Sequence, residues 1–139
     1  MSRVFFTDRD LGKQFPAILA AAGISVEAHH EIFAPTGSDE EWLEYCGTKN
    51  RIAITHNARI RYTPNELGAV IRHSVSLLVV IGQAPFPQLA KSFVNTLARI
   101  ESFVDQHEPP YIAKVYRAAQ VELARNPTSP GTIALWYPK

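Results

Sequence analysis

Short apolar strands alternating with helical stretches predict an α/β fold: three layers, α/β/α, around a central, mostly parallel five-stranded sheet. Three observations carry that prediction. Strand-length apolar runs are separated by stretches whose apolar residues recur at helical spacing. The run Val75-Ser76-Leu77-Leu78-Val79-Val80-Ile81 is continuous rather than alternating, as in a parallel strand buried on both faces. Nothing in the chain repeats or falls to low complexity, so a solenoid or linker array is not expected.

The elements follow in order. Val4–Thr7 reads as the first strand, and Leu11, Phe15, Ile18, Leu19 and Ala22 then mark a helix closed by Gly23. Ile24–Ala28 reads as the second strand, and residues 29–37 as a loop broken by Pro35 and Gly37. Ser38-Asp39-Glu40-Glu41 matches a capping box, opening a helix with Trp42, Leu43 and Cys46 inward and Gly47 at its end. Arg51–Thr55 is the third strand. Thr63, Pro64 and Glu66 form a second capping box, with Leu67, Val70 and Ile71 on the buried face that follows. Ser76–Ile81 is the central strand, and a turn from Gly82 to Pro87 leads into a long helix. That helix, Phe86 to Gln106, has Leu89, Phe93, Leu97, Ile100 and Val104 on one stripe. Pro109-Pro110 ends it, Tyr111–Tyr116 is the fifth strand, and a short helix is expected near Ala118–Arg125. The organisation predicted is a domain over residues 1–125 and a Pro-rich tail over 126–139, whose Trp136 and Tyr137 are placed to pack on the domain, a partner or a second copy.

A chain of 139 residues suits one domain with a real core. No apolar run approaches the ~20 residues of a membrane span. The start goes straight into a strand without a signal-peptide pattern, and the lone Cys46 forms no internal disulfide; a cytoplasmic location is expected. Cys46 itself falls on an apolar helix face and reads as a small core residue. Net charge is +1, but residues 1–50 hold eight acids against four bases and residues 51–139 ten bases against five acids. That is the pattern of a metal site beside a phosphate-binding surface, although a small protein also reaches such an imbalance by chance.

Sites in parallel sheets lie at the carboxyl ends of the strands. That rule selects Asp8 and Asp10 after the first strand, Asp39 at a helix start, and Asn57 two residues past the third strand. Asp39 and Asn57 are 18 residues apart, the span of one helix, one turn and one strand, which returns the chain to the same sheet edge. Clustered carboxylates call for a hard divalent cation, Mg²⁺ or Mn²⁺, suited to phosphodiester hydrolysis. Each acid taken alone also reads as a helix cap or a first-turn residue favoured by the helix dipole.

The stretches Val4-Phe5-Phe6-Thr7-Asp8, Ser38-Asp39-Glu40-Glu41-Trp42-Leu43 and Ile52-Ala53-Ile54-Thr55-His56-Asn57-Ala58-Arg59-Ile60 together resemble the PIN-domain superfamily of metal-dependent ribonucleases. In particular they resemble the PIN-like VapC-type toxins of toxin–antitoxin pairs. The resemblance implies an endoribonuclease with Asp8, Asp39 and Asn57 in the catalytic positions, a Mg²⁺ or Mn²⁺ ion held there, and RNA and an antitoxin protein as partners. Asn57 departs from the pattern, since the resemblance leads one to expect a carboxylate. Three readings stay open: weak ligation through the amide oxygen, a degenerate site, or an attenuated variant. Glu40 or Glu41 would supply a replacement ligand, and Asp10 a second carboxylate at the first strand.

For RNA the candidates are Arg9, Arg59, Arg61, Lys114 and Arg117, all near strand ends, with Tyr62 to stack on a base; as exposed arginines they also read as plain surface groups. His56 either meets a phosphate or packs. The tandem His29-His30 lacks metal-ligand spacing and reads as surface. A PIN-like module that binds a partner protein without catalysis is the alternative function, and a homodimer is one further arrangement. A phospho-receiver reading, built on Asp8, Asp10 and Lys114, lacks the aspartate it needs at the end of the third strand.

Overall fold

The computed structural model describes residues 3–138. Six strands form one sheet: β1 (Phe5–Thr7), β2 (Val26–Ala28), β3 (Ile52–Thr55), β4 (Ser76–Val80), β5 (Tyr111–Tyr116) and β6 (Thr132–Tyr137). Their order is β2-β1-β3-β4-β5-β6, parallel throughout except for β6 against β5. The helices are α1 (Gln14–Ala21), α2 (His29–Ile32), α3 (Asp39–Lys49), α4 (Pro64–Arg72), α5 (Phe86–Gln106) and α6 (Gln120–Arg125), with 3-10 turns at Arg9–Leu11 and Ala58–Arg61.

Strand alternation sorts the core into two halves. Phe5, Ile52, Ile54, Leu78, Val80, Ala113 and Val115 face one way, under Phe15 and Leu19 of α1 and Phe93 and Ile100 of α5. Phe6, Ala53, Leu77, Val79 and Ile112 face the other way, under Trp42, Leu43 and Cys46 of α3 and Ala69 and Val70 of α4. The three-layer α/β expectation therefore holds. No helix is long and apolar enough to cross a membrane among the described residues. Cys46 is a buried core residue whose thiol burial pushes well above its ordinary range.

Four expectations need correction. The sheet has six strands, not five: residues 132–137 pair along β5, and Trp136 and Tyr137 pack on the α3/α4 half of the core. Residues 29–37 are not all loop. The short α2 carries His29 into the core against Phe6 and Phe33, so only His30 of the tandem is exposed. Gly47 does not end α3; the helix runs on to Lys49 and stops at Asn50 in a left-handed conformation. Gly47 is required for a different reason: a side chain there would collide with the His73 carbonyl where α4 ends against α3. Finally, the Thr63–Glu66 capping box does not form, because the Thr63 hydroxyl donates back to the Arg59 carbonyl at 3.0 Å. The Ser38–Glu41 box forms in both directions.

Strand order reverses between β1 and β3, so the crevice beyond their carboxyl ends is the place where such sheets bind ligands.

Candidate functional site

Asp8 leaves the end of β1 with its backbone N–H bonded to the Ile54 carbonyl of β3, which fixes its carboxylate beside Thr55. The Asp8 Oδ1 accepts from the Arg9 N–H at 2.7 Å and caps the 3-10 turn, while Oδ2 accepts from the Thr55 hydroxyl at 2.9 Å. Asp10 comes back from that turn to the same hydroxyl at 3.3 Å and also accepts from the His56 N–H at 3.2 Å. A hydroxyl carries one proton, so Thr55 donates to one of these two carboxylates at a time. Its oxygen in turn accepts from the Asn57 N–H at 3.1 Å. Thr55, a wholly buried residue, thus ties Asp8, Asp10 and the Asn57 backbone together.

These two acids are electrostatically unsettled. Asp8 is only 4% exposed. Burial first, then the charges of Asp10 and Asp39, push its carboxyl up to about 7 against the Thr55 and Arg9 hydrogen bonds. Burial also raises Asp10, opposed by the His56 N–H and the Thr55 hydroxyl.

Asp8, Arg9, Asp10, Asp39, Asn57 and Arg59 line one open cleft of about 310 Å³. The structure thus brings together every acid of the expected set except Glu40 and Glu41, which are exposed and do not line the cleft; the Glu41 carboxylate instead accepts from the Ser38 N–H. The acids share a cleft without closing on a point: among the described residues no three His, Cys, Asp or Glu side chains form a ligand cluster. Asp39 is held on the rim, where it accepts from the Trp42 indole N–H at 3.0 Å. The Asn57 Oδ1 accepts from the Arg59 N–H at 3.1 Å and caps the second 3-10 turn.

Arg9 and Arg59 are exposed at the cleft. Arg61 and Lys114 do not line it. The Arg61 guanidinium lies over the Tyr137 and Tyr62 rings, at 4.7 and 5.4 Å, and the Lys114 ammonium lies 4.1 Å from the Trp136 ring centre. Tyr62 is 71% exposed and meets Trp136 edge to face. The expectation that all the basic candidates face one site is therefore corrected: β6 brings its aromatics to Arg61 and Lys114. The His56 ring is engaged by groups other than the acids. Its Nε2 pairs with the Gly82 carbonyl at 2.9 Å, which assigns the donor to the ring nitrogen, and its ring packs on Phe86.

Three participants escape a reading of the sequence by motif alone. Thr55 is read as the end of the third strand and part of the stretch that carries the resemblance, but only strand register places it between two carboxylates. Trp42 reads as pure core until its N–H is seen on Asp39. Glu66, expected as a cap, is instead coupled to Asp39: burial first and then the Asp39 charge raise its carboxyl.

The donor set suits a hard divalent cation. All the groups are oxygens, two are adjacent carboxylates that repel each other, and Mg²⁺ commonly needs only one or two carboxylates with water completing its shell. A family model described as PIN like domain matches residues 3–82, more than half of the chain, from β1 through β4. No curated protein and no solved structure matches the chain.

Proposed function

This chain belongs to the PIN-like domain family, and from that premise we propose that it is a metal-dependent endoribonuclease, the toxin component of a toxin–antitoxin pair, attenuated by Asn57. The observation that supports this reading most is the pair Asp8 and Asp10 at the sheet's switch point, in a cleft flanked by Arg9 and Arg59. Burial raises both carboxyls, and the Asp10 charge raises Asp8 further. Carboxylates perturbed by burial and a charged neighbour in a cleft are candidates for a functional site.

Asp8 and Asp10 would hold Mg²⁺ or Mn²⁺, with Asn57 and Asp39 lining the same cleft. That ion supplies positive charge for the phosphoryl oxygens and lowers the pKa of water beside them. The chain's own residues do the rest. Arg9 and Arg59 hold backbone phosphates by charge and hydrogen bonds. Thr55 keeps the two carboxylates in register, and the His56 N–H fixes Asp10. Asp8 gives up its proton more readily as positive charge enters the cleft.

RNA cleavage tests this reading. It should require Mg²⁺ or Mn²⁺, stop with a chelator, and fall at least ~100-fold in Asp8→Ala and Asp39→Ala. Full activity in both variants, or cleavage with chelator present, refutes it.

A second reading is a catalytically weak module that holds a partner protein. It draws on Asn57, whose oxygen already caps a turn, and on Asp39, already paired with Trp42. An antitoxin protein filling the cleft, or a homodimer, is the partner this reading requires. Stable co-purification with a neighbouring gene product and no cleavage under any metal condition would favour it.

A further inference from the structure

A second pocket, of about 420 Å³, opens between the end of β5, α6 and the loop into β6, beyond the segment that matches the family model. Arg99, Arg117 and Arg125 line it against a single carboxylate, Glu122. Among the described residues none of the three arginines is in an ion pair. The Arg117 Nε is buried and has no hydrogen-bond partner within the protein. A buried charged donor left unmatched is costly, and a guanidinium fork matches phosphate oxygens in both charge and geometry.

The pocket floor is firmly built. Gly131 donates its N–H to the buried Thr96 hydroxyl at 2.9 Å and accepts from Arg99 Nη1 at 2.6 Å. A side chain at Gly131 would collide with the Tyr116 carbonyl, so the chain can pass there only as glycine. The loop is braced from within by the Ser129 hydroxyl, which donates to the Asn126 carbonyl at 2.8 Å.

Gly82 lies between this pocket and the acid cleft. A Cβ on Gly82 would touch Arg117 Cδ, the Gly82 carbonyl accepts from the His56 ring, and the His56 N–H holds Asp10. Arg117 therefore stands beyond the ends of β4 and β5 on the same sheet edge as the acids.

We propose that Arg117, Arg125 and Arg99 form a second phosphate subsite, which grips a backbone phosphate of the RNA strand away from the bond cut in the acid cleft. The proposal rests on RNA being the substrate. A phosphate group is the shared chemistry; a free phosphate or mononucleotide is the competing source.

Binding of a short single-stranded RNA, measured with chelator present so that nothing is cut, tests it. Arg125→Gln, a change at an exposed side chain, should weaken RNA binding about tenfold and lower the salt dependence by about 0.7 in log–log slope, the share of a single phosphate on a single strand. Arg117→Gln should do the same, and Arg125→Lys should restore most of the affinity, which a general loss of structure would not. Unchanged affinity and slope in both Gln variants would overturn the proposal. So would inorganic phosphate or AMP that binds the native protein as tightly as the RNA does and is lost in Arg125→Gln, since the pocket would then be a free-anion site. The nuclease reading fails separately: native protein that never cleaves RNA, while Arg125→Gln still weakens binding, removes the enzyme and leaves the subsite.

Discussion

Asp8 is the residue on which the most turns. Its carboxyl is raised from 3.8 to about 7, first by burial and then by Asp10. Between those two values the folded protein binds a proton that the unfolded chain has released, so in metal-free buffer stability falls as pH rises from about 4 to about 7. The full cost above that window is at most ~4 kcal/mol. Thermal unfolding of the metal-free protein should therefore show a lower Tm at pH 8 than at pH 5. Asp8→Asn should flatten the dependence and raise the Tm at pH 8, and an unchanged pH profile in that variant would contradict this. Asp8 and Asp10 are legible in the sequence because strand ends in parallel sheets are where sites sit. The fact that they pair through one hydroxyl is not, because Thr55 reaches Asp8 across 47 positions of chain and only strand register reveals it. His29 escapes the sequence for a related reason: its burial depends on Phe6 and Phe33, which meet it only in three dimensions.

At the scale of elements, β3 and its following turn do the positioning. Thr55→Val keeps the shape of a buried strand residue but removes a donor for the carboxylates and the acceptor for the Asn57 N–H. Leaving those groups unpaired should cost about 1–3 kcal/mol by urea unfolding, and cleavage should drop with it. The long α5 is legible from end to end, since an apolar stripe of that length, a Pro-containing start and a Pro-Pro stop leave little choice. The α3 start is equally clear from its capping box. Its end is not, because Gly47 answers to the approach of His73 in α4, a packing fact that local sequence does not express. The same limit hides β6. Its apolar residues follow two prolines and a glycine, which read as tail, and their pairing with β5 is antiparallel and closed by a loop that no periodicity announces.

For the whole molecule, the charge asymmetry along the chain becomes a spatial division. Three acids of the first 50 residues, Asp8, Asp10 and Asp39, line the cleft at the β1/β3 switch point, while the second half supplies the arginine pocket and the cation–aromatic contacts of β6. β6 is structural as well as an edge. A chain ended at Arg125 would lose its β5 pairing and the packing of Trp136 and Tyr137, and should be at least ~3 kcal/mol less stable in urea unfolding. Native-like stability in the shortened chain would show that the domain ends before the last strand. In the proposed nuclease the cleft holds a divalent cation and Asn57 weakens its binding. Asn57→Asp is a clean probe, because an aspartate caps the second 3-10 turn as well as asparagine does. Calorimetric titration of Mn²⁺ into the native protein and into Asn57→Asp, at one pH, measures that weakening. Both should bind, the variant at least ~10-fold more tightly, with RNA cleavage rising in step. No binding by either protein at millimolar Mn²⁺, or equal affinity in the two, would contradict this.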